Sequence, residues 1–213
     1  MICHRRKLIF VHLRRTAGNS IEAALGGIVL FDRWFRRTDT WDNRIHRGRS
    51  WYKRDRRGHP IHATAREIRS LYPHEFNRYF RFTIVRNPWE QMASLYGRIC
   101  SSDVRFAGFR DWVRRFDLIE GTVPEASLFD SDGNCLVDFI GRFERLEQDF
   151  SLVCDRIGIP RFRLPAMNSS AIPRLDQVYD EESRRTVEKL YAADITRFGY
   201  TFDAARDCVG PLS

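Results

Sequence analysis

Residues 7–27 read KLIFVHLRRTAGNSIEAALGG, and this stretch decides the fold class. Residues 7–12 are apolar and β-prone almost throughout, which predicts a buried strand. Residues 13–18 predict a loop. A helix follows at once, with Asn19 as its expected cap and Glu22 reaching back to close a capping box. Gly26 and Gly27 predict its end. Strand, short loop and helix in that order form the unit of an α/β fold. Residues 80–96, FRFTIVRNPWEQMASLY, repeat the unit. Residues 80–86 predict a strand, Asn87 a cap, Pro88 the first helical residue and Glu90 a second capping box. Trp89, Met92, Ala93 and Tyr96 share one helical face, expected in the core.

The rest of the chain fits around these two units. Residues 63–71 predict a helix ended by Pro73, and residues 136–143 a third strand. Leu146, Phe150, Val153 and Ile157 form the apolar stripe of a helix stopped by Gly158 and Pro160. A last helix is expected over residues 180–197, with Val187, Leu190, Tyr191, Ile195 and Phe198 turned inward. Residues 101–134 read as irregular except for 109–116. Residues 31–60 hold Trp34, Trp41, Trp51 and Tyr52 among many arginines and show no period, which predicts a long surface excursion. Strands alternating with helices give an α/β fold with a mainly parallel sheet.

The chain has 213 residues, 43% of them hydrophobic, with sixteen Phe, seven Tyr and five Trp. That supports one domain, residues 1–213, and excludes a disordered chain. No apolar run approaches the length of a membrane span, and the apolar stretch after the basic start is too short for a signal-peptide core. The five cysteines are scattered, with no metal-ligand spacing and no disulfide framework. The expectation is a soluble, unprocessed cytoplasmic protein without a metal. A net charge of +8 favours anionic partners without choosing among them.

Both loops suit an anion. Ligands of α/β sheets bind at the carboxyl ends of strands, and a helix start offers free N–H groups and a positive dipole end. In the first loop Arg14 and Arg15 bring charge. Thr16, Asn19 and Ser20 bring side-chain donors, and Gly18 lets the backbone come close. An ordinary strand–helix turn fits equally well, because the full GxxxxGK[ST] pattern is missing. In the second loop Arg86 at the strand end and Ser94 two turns into the helix could clamp a second phosphate. Alternatively, Arg86 pairs with a local carboxylate. Two anion sites in one sheet suit a nucleoside with phosphates at both ends, such as 3′-phosphoadenosine-5′-phosphosulfate (PAPS).

These motifs carry a resemblance. FVHLRRTAGNSIE, residues 10–22, resembles the 5′-phosphosulfate loop of the PAPS-dependent sulfotransferases, in particular the carbohydrate sulfotransferase branch. Residues 82–96, FTIVRNPWEQMASLY, resemble the family's 3′-phosphate segment. Residues 138–160, 164–170 and 192–202 resemble later segments, in the family's order. The resemblance implies a P-loop-like three-layer fold with a central parallel sheet. It implies that Thr16, Ala17, Gly18, Asn19 and Ser20 wrap the 5′-phosphate, that Arg86 and Ser94 hold the 3′-phosphate, and that Asn168 and Ser169 lie near the nucleotide. The chain departs from the family at Arg14-Arg15, where Pro-Lys is usual, and at Asn19, where Thr is usual. Arg15 keeps the cation and adds a planar fork of donors.

The expected reaction is in-line transfer of a sulfuryl group from PAPS to a hydroxyl, leaving PAP. Arg15 is the catalytic cation at the bridging oxygen, and a base takes the acceptor's proton. His62, before the helix at 63–71, is the first choice of base and resembles the family's frequent histidine there. A helix cap is its plainer reading. His59 and Glu67 follow as second and third choices. The aromatics and arginines of residues 31–60 suit a saccharide acceptor, including an acidic one. A solvated basic loop is the plainer reading. Two rival functions are a kinase with a degenerate phosphate loop and a nucleic-acid-binding protein. The first lacks the Walker Lys-Ser/Thr pair and the second lacks any recognition motif.

Overall fold

The structure is a computed structural model that describes residues 1–31, 62–99, 105–116, 123–165, 167 and 175–203. The expected excursion, His59, Asn168 and Ser169 therefore lie outside the described residues, apart from Phe31. The elements are β1 (Ile2–Cys3), β2 (Leu8–Phe10), α1 (Gly18–Phe31), α2 (Ala65–Leu71), α3 (Pro73–Arg78), β3 (Phe80–Val85), α4 (Pro88–Ile99), α5 (Phe109–Arg114) and α6 (Pro124–Leu128). They continue with β4 (Phe139–Arg142), α7 (Leu146–Ile157), α8 (Leu175–Val178), α9 (Glu181–Leu190) and α10 (Ala192–Phe198).

Among the described residues four strands form one sheet, in the order β1-β2-β3-β4. β2 and β3 run parallel with Leu8 beside Phe80, and β3 and β4 run parallel with Phe82 beside Phe139. β1 pairs antiparallel with β2 at one edge. The mainly parallel α/β sheet expected from the sequence is present. Parallel strands need helical crossovers, and these cover both faces. Alternate residues of β2 face opposite layers. Leu8 and Phe10 pack with Ile21 and Leu25 of α1 and with Phe150 and Val153 of α7. Ile9 packs with Ile68 of α2, Phe76 of α3, Met92 of α4 and Val187 of α9. The result is three layers, helix–sheet–helix. Among the described residues no helix is long and apolar enough to cross a membrane.

Several local expectations are corrected. α1 starts at Gly18, so Asn19 is its second residue and exposed, and the helix runs through Gly26 and Gly27. Pro73 ends α2 as expected but also opens α3. The region 101–134 holds α6 as well as α5. The single last helix is two, α9 and α10, meeting at a fully buried Tyr191 whose hydroxyl donates to Met92 Sδ at 3.4 Å. Cys135 and Cys154 are free thiols.

Candidate functional site

Because β2 and β3 are parallel neighbours, their carboxyl ends lie on the same edge of the sheet. The two loops that follow them therefore meet. In the first loop Arg15 and Ala17 both have φ of 61°, in the left-handed region that non-glycine residues seldom occupy. Each such residue costs on the order of 1 kcal/mol or more, and strain of this kind clusters at binding and catalytic sites. The loop is braced from within. Thr16 is fully buried and its hydroxyl donates to the Leu13 carbonyl at 3.0 Å. Thr16 thus spends its donor on the loop. Ser20, in the first turn of α1, is buried and accepts from the Met167 N–H at 3.2 Å. Asn19 faces solvent.

The second loop is capped as its sequence suggests in one respect and differs in another. The Asn87 side chain accepts from the Trp89 N–H at 3.2 Å, at the start of α4. Glu90 closes no capping box, because the Asn87 N–H goes to Glu144 at 2.6 Å. Glu90 turns instead to Arg86, accepting from Nε at 3.2 Å and from an Nη at 3.1 Å. Arg86 and Glu90 are each 5% exposed, and the guanidinium lies 3.8 Å from the Phe143 ring centre. The second oxygen of Glu90, Oε1, is buried without a hydrogen-bond partner. Arg86 thus has the local carboxylate partner that one of its two readings names.

Hydrogen bonds stitch the loops together. Arg15 Nε donates to the Ser94 hydroxyl at 2.8 Å. Arg86 donates to the Arg15 carbonyl at 3.2 Å, and Gln91 Nε2 to the Arg14 carbonyl at 2.8 Å. Arg15, Arg86 and Ser94, expected at opposite ends of one nucleotide, are thus within one hydrogen-bonded cluster. The cluster is electrostatically tense. Burial, and then the charges of Arg86 and Arg98, push the Arg15 guanidinium down to about 10. It remains charged at neutral pH, yet three cations crowd one spot, and an anion there relieves the repulsion. Burial lowers Arg86 against the pull of Glu90, and burial raises Glu90 against the pull of Arg86.

A second cluster adjoins the first loop. His12 and Glu22 are buried, and His12 Nδ1 lies 3.0 Å from Glu22 Oε1. Glu22 thus has a partner across the loop from the helix start. The His12 carbonyl accepts from His62 Nδ1 at 2.9 Å, and the two rings meet edge-on with centres 4.8 Å apart. His62 is half-buried. Burial first, then His12 and Arg14, push its imidazole down to about 3, so the ring is neutral. A carbonyl only accepts, so His62 carries its proton on Nδ1 and its lone pair on Nε2. His62 is not the cap of α2. That cap is Thr64, whose hydroxyl accepts from the Glu67 N–H at 3.1 Å while Glu67 Oε2 accepts from the Thr64 N–H at 2.7 Å. Glu67, the third choice of base, is held by that box.

His12 and its partnership with Glu22 were not legible as site features. One signal was there: a titratable residue ends the apolar run of the first strand, where α/β sheets place their ligands. Among the described residues no group of three or more His, Cys, Asp or Glu is arranged to hold a metal ion.

An uncharacterized protein of Archaeoglobus fulgidus is 31% identical over 98 residues, covering 45% of this chain and 82% of that protein. The profile of the sulfotransferase family matches residues 1–201, a span that contains both loops, His62 and all four strands. The chain belongs to the sulfotransferase family.

Proposed function

We propose that this chain, acting as one domain over residues 1–213, transfers the sulfuryl group of PAPS to a hydroxyl of a carbohydrate. The observation that supports the donor most strongly is the stitched pair of loops, with a half-buried Arg15 and the buried Arg86 and Ser94 in one cationic cluster at the carboxyl ends of two parallel strands. Such a cluster suits a ligand with anionic groups at both ends. Residues 14–20 and the start of α1 take the 5′-phosphosulfate, and Arg86 and Ser94 take the 3′-phosphate. The 3′-phosphate displaces at least the Arg15–Ser94 hydrogen bond, which frees the Arg15 guanidinium for the bridging oxygen.

The acceptor oxygen attacks sulfur in line with the bond to the 5′-phosphate. That bond breaks, PAP leaves, and the acceptor's proton passes to a base. Negative charge grows on the bridging oxygen, where Arg15 and the N–H groups opening α1 stabilise it. His62 accepts the proton through Nε2, the nitrogen its hydrogen bond leaves free. A value near 3 makes it a weak base in the free protein, but cations set part of that depression. A polyanionic donor beside Arg14 offsets their charge and strengthens the base. The saccharide acceptor rests on the aromatic and arginine-rich sequence of residues 31–60, where stacking on sugar rings joins charge for acidic groups.

The test is incubation with PAPS labelled in the sulfuryl group and a panel of neutral and acidic saccharides, with PAP and sulfated product measured together. Label in a saccharide with matching PAP release is expected. Magnesium-dependent phosphate transfer from ATP, with no use of PAPS, would overturn the proposal.

A further inference from the structure

We infer that His12 and Glu22 are positioning residues, a buried dyad that fixes both the shape of the phosphate loop and the proton-free nitrogen of His62. The inference rests on the reading of His62 as the base. Three contacts carry it. First, Glu22 Oε1 lies 3.0 Å from His12 Nδ1, with both side chains buried. An ionised carboxylate only accepts, so His12 donates through Nδ1. The bond ties the chain just past β2 to the second turn of α1 and so closes the loop between them.

Second, the His12 ring lies against Gly18, the first residue of α1. A Cβ at position 18 would stand 1.9 Å from His12 Nε2 and 2.1 Å from Cδ2. The imidazole fills the space where other residues have a side chain, and it also stacks on Phe10 with centres 5.5 Å apart. The start of α1, where an anion would sit, is thereby held at a fixed height above the strand. Third, the carbonyl of the same residue holds His62 Nδ1–H at 2.9 Å. A neutral imidazole in water favours the proton on Nε2, the wrong nitrogen to leave as donor if Nε2 is to act as base. The His12 carbonyl reverses that preference, and the pinned His12 ring keeps the carbonyl aimed. Among the described residues, the charged and titratable groups facing His62 are His12, Arg14 and Glu22. Glu22 is thus the one negative charge among them and favours a protonated His62.

The experiment reads histidine tautomers directly, by long-range nitrogen–proton NMR of the ¹⁵N-histidine-labelled full chain at neutral pH, beside PAP binding and PAP release from PAPS. In the wild type, His62 and His12 should both carry a proton on Nδ1. Glu22→Ala should move His62 toward the Nε2–H form and slow PAP release about tenfold or more, with PAP affinity changed less than about threefold. Glu22→Gln keeps an acceptor oxygen for His12 and should keep both the tautomer and most of the rate. A wild-type His62 protonated on Nε2 overturns the inference. So does a folded Glu22→Ala protein with unchanged tautomer and rate. If Glu22→Ala does not fold, Glu22→Asp decides. It draws the carboxylate back by one methylene, and wild-type tautomer and rate would count against the dyad. The tautomer is read without turnover. A wild type with the expected tautomer but no use of PAPS therefore refutes the sulfuryl-transfer reading by itself.

Discussion

Replacing Arg86 by alanine should do more damage to the fold than to any single contact with a ligand. The wild-type guanidinium makes two hydrogen bonds to Glu90, one to the Arg15 carbonyl, and lies over the Phe143 ring. Arg86→Ala leaves the Glu90 carboxylate 5% exposed, with one oxygen newly bereft and the other already without a partner. Removing one member of a buried ion pair costs about 3–5 kcal/mol. For a domain of this size that lowers the melting temperature by roughly 6–20 °C. The loss should depend on pH. Burial already raises the Glu90 pKa, and the variant raises it further. A carboxyl whose folded pKa lies above its unfolded one carries no penalty below the unfolded pKa and its full penalty above the folded one. Arg86→Ala should therefore fall further behind the wild type as pH rises through that window. Removing both charges, as in Arg86→Met with Glu90→Leu, should recover much of the stability. The assay is thermal unfolding of wild type, single and double variants at several pH values. Arg185→Ala serves as control, because its pair with Glu181 is exposed and worth less than about 1 kcal/mol. An Arg86→Ala protein that melts within about 2 °C of the wild type at every pH would refute the reasoning. So would a double variant no better than the single.

Two further outcomes follow from the geometry. Arg15→Ala removes the guanidinium that faces charge growing only in the transition state. PAP release from PAPS should fall by roughly a hundredfold or more with a smaller loss of PAP affinity, and Arg15→Lys should keep much of the rate; equal losses in rate and affinity would assign Arg15 to binding alone. Asp194 is 1% exposed, one of its oxygens has no hydrogen-bond partner, and burial pushes its carboxyl up to about 7. The contribution of Asp194 to wild-type stability should fall as pH rises from about 4 to 7, and Asp194→Asn should be more stable than the wild type at pH 8 by on the order of 2–4 kcal/mol but not at pH 4. Urea unfolding at both pH values checks this.

The sequence exposed whatever depends on local pattern. Leu8, Ile9 and Phe10 read as a strand because both faces of a parallel sheet are covered, and nothing polar interrupts them. Asn87-Pro88 read as a helix start because cap and fixed φ act within two residues. Gly158 stopped its helix because it takes the left-handed conformation there, with φ of 66°. Gly26 and Gly27 do not, and α1 continues through them. Glu22 and Glu90 satisfied the local capping rule, and each has a partner outside it. His12 recruits Glu22 across the loop, and Arg86 recruits Glu90 one turn away. The strand Ile2–Cys3 is too short to show a period. The meeting of Arg15 with Ser94, 79 residues apart, follows from strand order, which no local pattern encodes.

The central claim is that the two loops hold one nucleotide carrying phosphates at both the 3′ and 5′ positions. Titration calorimetry with PAP, adenosine 5′-phosphate and ATP, each with and without magnesium, tests it most directly. The account expects PAP to bind without magnesium and at least about tenfold more tightly than adenosine 5′-phosphate, the margin a charge-assisted contact to the 3′-phosphate supplies. Equal binding of PAP and adenosine 5′-phosphate, or binding of ATP alone in the presence of magnesium, would contradict it.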